Sequence, residues 1–235
     1  MDFTEELHVA YKIANSKINH FPYPHLFVKN VFTSTFYSEI IKHLPDPKKL
    51  TQISKTGRVS YDKERYVLLF NDTSLDNLNK NERLFWISFK DRFLQVDFKK
   101  FLISLFSDYI EARFPDFRKM NFYDELMLIN DKMNYSLGPH TDKPKKVISF
   151  LFYLPKDETQ INLGTSIYFP KDRSFRCQGN MHHAYENFEK ITSMPFLPNS
   201  LFCFVKTDNS FHGVEPILTD EKRWLLLYDI YTDLS

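Results

Sequence analysis

The chain contains 235 residues, of which 43% are hydrophobic, 17% aromatic and 26% charged. This composition supplies a sizeable buried core and excludes intrinsic disorder. The 31 basic and 30 acidic side chains leave a formal charge of +1, so no nucleic-acid partner is expected. Only 5 residues are glycine, which argues against a glycine-rich phosphate-binding loop. We therefore expect a single domain over residues 1–235.

The cysteines and the N-terminus bear on the cellular compartment. Cys177 and Cys203 cannot build a disulfide framework, and neither lies in a Cys-x-x-Cys or zinc-knuckle spacing. The chain begins with acidic and polar residues, whereas a signal peptide begins basic and continues apolar. No apolar run approaches the roughly 18 residues of a membrane span. We expect a cytoplasmic protein with no membrane partner, and its oligomeric state is not indicated.

Residues 1–121 are predicted to be rich in helices. Apolar residues recur at three-to-four spacing over residues 98–110, which predicts one helix there. A shorter helix is predicted over residues 35–44, because Pro45 cannot continue it. Residues 4–19 show a weaker helical pattern.

The segment 50–80 is polar and irregular, with one candidate strand at residues 66–70. Two interpretations are open, a flexible loop over a binding site or a surface excursion. We favour the surface excursion, which needs no further assumption.

From residue 122 onwards, short runs of apolar, aromatic and β-branched residues alternate with turn residues. Repeated short strands with polar turns between them are typical of a β-sandwich or jelly roll. The predicted strands cover residues 122–130, 146–154, 165–169, 200–205, 212–217 and 223–231. The predicted fold class is α+β with a mainly β core over residues 122–235. This core would be a double-stranded β-helix, or jelly roll, with the N-terminal helices packed on it.

Two histidines and an aspartate are candidate metal ligands. His140 and Asp142 are two residues apart, and in an extended segment such residues point to the same side. His212 stands 70 residues after Asp142, at the start of another predicted strand. Two imidazoles and one carboxylate form a facial set that suits Fe(II) and leaves positions open for other ligands. Each element alone has a plainer interpretation, a surface turn for His140-Thr141-Asp142 and a structural histidine for His212.

Arg223 is the third element of the pattern. It stands 11 residues after His212 and opens the apolar run Arg223-Trp224-Leu225-Leu226-Leu227-Tyr228. An arginine before so apolar a strand either stays in solvent or pairs with an anion. Its guanidinium matches a carboxylate in bidentate fashion, which a lysine cannot do.

With these residues the chain resembles the iron(II)/2-oxoglutarate-dependent oxygenases, and within them the prolyl-hydroxylase-like members of bacteria and phages. Their pattern is His-x-Asp, a distal His, and an Arg or Lys shortly after it. The similarity covers roughly residues 122–231. The matching stretches are His140-Thr141-Asp142, Phe152-Tyr153-Leu154-Pro155, Gly164-Thr165 and Phe211-His212-Gly213-Val214.

The resemblance implies a role for each matched residue. His140, Asp142 and His212 would be the iron ligands, and Arg223 would bind the distal carboxylate of 2-oxoglutarate. The implied reaction uses Fe(II), 2-oxoglutarate and O₂, releases succinate and CO₂, and hydroxylates a C–H bond. The retained Asp142 argues against the halogenating members of the family, in which a small residue stands at that position.

Two further positions bear on the co-substrate. Tyr153 matches a tyrosine that in some members hydrogen-bonds the same carboxylate, although a core aromatic is an open alternative. The position two after the arginine is often Ser or Thr in the family, and here it is Leu225. This departure leaves Arg223 with fewer supporting residues and favours a role for Tyr153.

The substrate is predicted only by class, as a small molecule or a residue in a peptide. An anionic substrate is favoured if two basic clusters border the site, although charge runs are usually solvated. These clusters are Lys143, Lys145 and Lys146, and Lys171, Arg173 and Arg176. His182 and His183 have no partner at ligand spacing and are expected in a surface loop.

Two other classes of function stay open. One is a jelly-roll protein that binds a metal for structure and catalyses nothing. The other is a cupin-like metal-dependent isomerase or hydrolase. Arg223 separates these classes from an oxygenase, because neither needs a buried guanidinium near the metal ligands.

Overall fold

The computed structural model describes residues 4–59, 64–179 and 181–233. Within these ranges all the α-helices belong to the N-terminal half of the chain. They are α1 (Glu5–Ala14), α2 (Ser34–Lys42), α3 (Asp72–Leu75), α4 (Lys80–Phe93), α5 (Val96–Leu105) and α6 (Ser107–Arg113). No helix of these ranges is long and apolar enough to cross a membrane.

The strands form two antiparallel sheets. In chain order they are β1 (His25–Lys29), β2 (Thr51–Gln52), β3 (Arg65–Leu69), β4 (Phe122–Asp131), β5 (Leu137–His140), β6 (Lys146–Tyr153), β7 (Ser166–Pro170), β8 (Phe188–Ser193), β9 (Ser200–Val205), β10 (His212–Val214) and β11 (Arg223–Thr232). The larger sheet has the order β1-β9-β6-β11-β4-β3-β2, and the smaller one has the order β5-β10-β7-β8. The mixed fold with a mainly β core is therefore as predicted.

Side chains on the two faces of the larger sheet pack in separate clusters. Successive side chains of a strand point to opposite faces, so alternate residues of β6 enter different clusters. Phe150 and Phe152 pack in the cluster that contains the helices, and Phe152 stacks on Phe32 at a ring separation of 5.1 Å. Leu151 and Tyr153 pack in the other cluster, which includes Ile167 of the smaller sheet. The space between the two sheets is where the functional side chains lie.

The helices begin and end at residues that the local chemistry explains. Thr33 caps α2, because its hydroxyl oxygen accepts the backbone N–H of Phe36. Asn79 and Glu82 form a capping box at the start of α4, a helix that the sequence analysis did not predict. The single helix expected over residues 98–110 is two helices, α5 and α6, because the backbone leaves helical geometry at Phe106, with φ −107° and ψ 17°.

Several strands differ from the prediction. Strand β1 lies in the N-terminal part yet pairs with β9, so this part contributes directly to the larger sheet. Strands β5 and β8 were not predicted at all. Strand β3 is the candidate strand of the segment 50–80, and it pairs with β4 in the larger sheet. A surface excursion is therefore the wrong interpretation for this part of the segment.

Candidate metal centre

The two paired strands β5 and β10 bring the predicted ligands together. His140 ends β5 and His212 begins β10, and the two residues are direct partners in the register. Their rings lie 4.3 Å apart between centroids, and Asp142 Oδ2 lies 3.8 Å from His212 Nε2. One ligand atom from each of the three residues lies within 4.8 Å of the others. We call these three residues the triad.

Hydrogen bonds to the backbone set the tautomer of both histidines. Nδ1 of His140 lies 3.0 Å from the carbonyl oxygen of Gly138, and Nδ1 of His212 lies 2.9 Å from that of Ser210. A carbonyl oxygen only accepts, so each Nδ1 carries the proton and donates it. Each Nε2 therefore presents a lone pair, which is the form that binds a metal.

Burial keeps both imidazoles neutral. It lowers the pKa of His140 well below its ordinary value, and the neighbouring His212 lowers it further. Burial also lowers the pKa of His212, against a smaller opposing effect of Asp142. Neutral imidazoles at neutral pH are what a metal ion requires, because a protonated ring has no lone pair to offer.

A buried lysine holds the carboxylate of the triad. Burial acts to raise the pKa of Asp142, but the ammonium of Lys146 outweighs it together with the two histidines, and the pKa is lowered. Lys146 Nζ lies 3.1 Å from Asp142 Oδ1 and 2.9 Å from Asp229 Oδ2. Asp142 is therefore ionised, and a charge-assisted contact fixes the orientation of its carboxylate.

Glycine permits the close approach of the strands that carry the histidines. A Cβ atom on Gly213 would lie 2.4 Å from the carbonyl oxygen of Leu137, and one on Gly138 would lie 2.9 Å from that of His183. A larger residue in place of Gly213 would push β10 and β5 apart, and one in place of Gly138 would push the backbone at His183 away from β5. The spacing of His140 and His212 therefore depends on Gly213.

Arg223 is fully buried, so the alternative of a solvent-exposed arginine at a strand end is wrong. Its Nη1 donates to Asp131 Oδ2 at 2.7 Å, and its Nε donates to the carbonyl oxygen of Leu163 at 2.5 Å. Its Nη2 donates to the hydroxyl of Thr165 at 3.2 Å. Thr165 thus places a hydroxyl group beside the guanidinium of Arg223, a contact that no sequence pattern predicts.

Tyr153 packs next to this arginine in the interior. Its hydroxyl accepts the backbone N–H of Thr165 at 3.1 Å, and its ring lies 4.7 Å from that of Phe196. Arg223 and Thr165 line the cavity described next, whereas Tyr153 does not. Direct contact between Tyr153 and a co-substrate stays a prediction.

The triad and Arg223 line one cavity of about 650 Å³. Its wall includes residues from the segment 53–59 and Arg65, so this part of the chain borders the site. Lys143 lines the cavity, while Lys145 is exposed and its ammonium lies 5.7 Å from the Tyr231 ring.

The second basic cluster is not at the site. Lys171, Arg173 and Arg176 do not line the cavity, and Arg173 is exposed and paired with Glu189 at 2.9 Å. The second cluster therefore does not meet the condition for an anionic substrate, and its exposed side chains agree with the plainer interpretation of a solvated charge run. Of the first cluster, Lys146 is an internal ion-pair partner rather than a solvated charge.

The two adjacent histidines have separate environments. The ring of His182 lies 4.8 Å from that of His140, and the residue lines the cavity. His182 is exposed and lies outside the named strands, so the predicted surface loop is confirmed, and this loop borders the site. His183 packs against the rings of Phe175 and Phe211. Within the described part of the chain, neither residue belongs to the group of potential metal ligands that the triad forms.

The donor set of the triad fits a divalent transition metal. Two neutral imidazole nitrogens and one ionised carboxylate oxygen would occupy one face of the ion and leave the opposite face open. Imidazole and carboxylate ligands in this ratio are typical of non-haem Fe(II) sites that bind a second molecule at the metal. The arrangement can therefore hold Fe(II) and present it to the cavity.

No protein-family model and no curated protein sequence matches the chain. Solved structures do. A prolyl 4-hydroxylase of Phytophthora capsici has 13% sequence identity and a TM-score of 0.56, covering 99% of this chain and 67% of its own. A prolyl 4-hydroxylase of Pseudomonas putida has 10% identity and a TM-score of 0.53, covering 98% of this chain and 100% of its own. The chain thus has the fold of these two prolyl 4-hydroxylases, and the predicted resemblance is confirmed at the level of the fold.

Proposed function

We propose that the protein is an Fe(II)- and 2-oxoglutarate-dependent dioxygenase that hydroxylates a small-molecule or peptidyl substrate. The observation that carries this proposal is the triad, in which two Nε2 lone pairs and an ionised carboxylate face one another in a cavity. The sheet orders support a single domain built on a double-stranded β-helix, with β5, β10, β7 and β8 as its smaller sheet.

His140, Asp142 and His212 would hold the iron. When bound, Fe(II) supplies oxidative decarboxylation of 2-oxoglutarate to succinate and CO₂, coupled to insertion of oxygen into a C–H bond. The contribution of the chain is to keep both histidines neutral and the aspartate ionised before the metal arrives. Burial and the Lys146 ammonium supply these two conditions.

Arg223 is proposed to act on the distal carboxylate of 2-oxoglutarate. It is buried in the same cavity as the triad, where a guanidinium attracts an anion more strongly than in water. Thr165 and the carbonyl oxygen of Leu163 hold its side chain in place. Tyr153, through the backbone of Thr165, would support the same carboxylate site.

The walls of the cavity and the structural neighbours bear on the class of substrate. Apolar side chains such as Met127, Ile129 and Leu151 line it beside the charged groups, and they limit water near the metal. The structural neighbours named above are prolyl 4-hydroxylases, which makes a proline-containing peptide the first substrate to test.

The proposal is tested by anaerobic reconstitution with Fe(II) followed by titration with 2-oxoglutarate. A weak visible charge-transfer band is expected when the 2-oxo acid binds the metal, and Arg223→Ala should diminish it at equal ligand concentration. Metal binding without a band in the wild type would instead indicate a structural metal site or a cupin-like enzyme. A band undiminished in Arg223→Ala would contradict the role of that residue.

A further inference from the structure

Three charged residues stand side by side across three neighbouring strands. Asp131 ends β4, and it is the direct register partner of Arg65 on β3 and of Arg223 on β11. Residues in one row of a sheet point to the same face, so all three side chains lie on the cavity side. We call these three residues the row, in which Asp131 lies between Arg65 and Arg223.

Asp131 is bound by both arginines at once. Arg65 Nε donates to its Oδ1 at 2.6 Å and Arg65 Nη2 to its Oδ2 at 3.0 Å, which is a bidentate contact. Arg223 Nη1 donates to Oδ2 at 2.7 Å. The side chain of Asp131 is 0% exposed. A single carboxylate shared between two guanidinium groups leaves the row with one net positive charge.

The two arginines differ in their exposure to solvent. The side chain of Arg223 is 0% exposed, whereas that of Arg65 is 14% exposed. Arg65 lines the cavity, and its guanidinium carbon lies 4.4 Å from the centre of the Tyr135 ring. Stacking on an aromatic ring fixes the plane of a guanidinium group. Arg65 is therefore held in place by Asp131 and Tyr135 while part of its surface faces the cavity.

We propose that Arg65 binds the distal carboxylate of the 2-oxo acid together with Arg223, and that Asp131 is the positioning residue that fixes both arginines. This inference rests on the proposed function. A dicarboxylate would neutralise the positive charge that Asp131 leaves in the row, and burial makes that neutralisation favourable. The specificity for 2-oxoglutarate over a 2-oxo acid with an uncharged end then depends on Arg65, a residue outside the predicted jelly roll.

The test compares two ligands on the Mn(II)-loaded protein by isothermal titration calorimetry. One is 2-oxoglutarate, and the other is 2-oxopentanoate, which has the same chain length and no distal carboxylate. The wild type should prefer 2-oxoglutarate, and Arg65→Gln should weaken its binding by about 10- to 100-fold, the size of a lost charge-assisted contact. Binding of 2-oxopentanoate should be unchanged in Arg65→Gln. This selective loss cannot arise from general unfolding, which weakens both ligands.

Arg58→Gln is the matched control. Arg58 lines the same cavity, but its guanidinium pairs with Glu125 at 2.5 Å rather than with Asp131. It should keep the wild-type preference between the two ligands. An unchanged preference in Arg65→Gln, with a strong preference in the wild type, would overturn the role of Arg65 and leave the proposed function standing. A wild type that binds the two ligands equally well would contradict both the role of Arg65 and the proposed use of 2-oxoglutarate.

Discussion

Lys146 Nζ lies 3.1 Å from Oδ1 of Asp142, the carboxylate that stands beside both histidines of the triad. The other oxygen of that carboxylate accepts the hydroxyl of Ser149 at 3.3 Å and lies 3.8 Å from His212 Nε2. Lys146 therefore orients Asp142 so that Oδ2 faces the proposed metal position. The lysine is itself buried and is shared with Asp229, so the whole group is an internal ion network.

Lys146→Met should weaken metal binding, because it removes the contact that orients Asp142. Loss of such a supporting partner typically costs about 10- to 100-fold in metal affinity. Breaking a buried ion pair from one side should also lower the free energy of unfolding by about 3–5 kcal/mol. Calorimetric titration with Mn(II) and urea denaturation measure the two effects.

Lys145→Met is the control for this variant, because Lys145 is the adjacent lysine and is exposed. It should leave the metal affinity and the free energy of unfolding close to those of the wild type. Adding Asp229→Asn to Lys146→Met should recover part of the stability, since it removes one uncompensated buried charge. Wild-type metal affinity in Lys146→Met would show that Asp142 needs no such support.

His140→Ala and His212→Ala should each abolish binding of one equivalent of Mn(II) or Fe(II). Each substitution removes one of the three donor atoms that lie within 4.8 Å of one another. His182→Ala should retain the metal, although the His182 ring lies only 4.8 Å from that of His140. Equilibrium dialysis with metal analysis gives the stoichiometry. Loss of the metal in His182→Ala, with retention in His140→Ala, would reassign the ligand set.

Gly213→Ala should disturb the metal centre without removing any ligand. The added Cβ would meet the carbonyl oxygen of Leu137 at 2.4 Å and force β10 away from β5. Overpacking of this kind costs about 1–3 kcal/mol in the free energy of unfolding. Mn(II) affinity should fall as well, because His212 and His140 separate. A variant with wild-type stability and affinity would show that the strands tolerate the wider spacing.

The free energy of unfolding of the metal-free protein should decrease as the pH falls below the ordinary pKa of histidine. Burial lowers the pKa of His140 in the folded chain, so the unfolded chain binds this proton more tightly. The stabilisation is fully present above about pH 6.5 and is lost as the pH falls towards the lowered pKa. Between about pH 7.5 and about pH 5.5, the wild type should lose about 1.4 kcal/mol more than His140→Asn. Urea denaturation at both values measures this difference, and equal losses would contradict it.

The strands that the sequence predicts best are those with continuous apolar, β-branched and aromatic runs. Strand β6, for example, is buried at every residue and was predicted within one residue of its bounds. Strand β5 was missed because it contains Gly138 and Pro139, residue types depleted in strands. Strand β8 was missed because most of its residues are polar and exposed. Local composition therefore predicts buried strands. It does not predict edge strands such as β5 and β8, which form by pairing with a neighbouring strand.

In the candidate site, too, some contacts follow from local sequence and others depend on the pairing of distant strands. His140 and Asp142 are close in sequence, so their shared direction follows from local geometry, and the fold brings His212 to them. The contact of Asp131 with Arg65 and Arg223 depends on the register of three strands that are far apart in the chain. No pattern within one strand encodes that register. Within β4, the local sign of a buried ion pair is an aspartate at the end of an apolar run, two residues beyond Ile129.

The most direct test of the proposed oxygenase activity uses ¹⁸O₂. Purified protein is supplied with Fe(II) and 2-oxoglutarate under labelled oxygen, and the succinate formed is analysed by mass spectrometry. The wild type is expected to form succinate in which one oxygen atom comes from O₂, and His140→Ala is expected to form none. Absence of labelled succinate from the metal-loaded wild type, or an equal yield from His140→Ala, would contradict the proposed function.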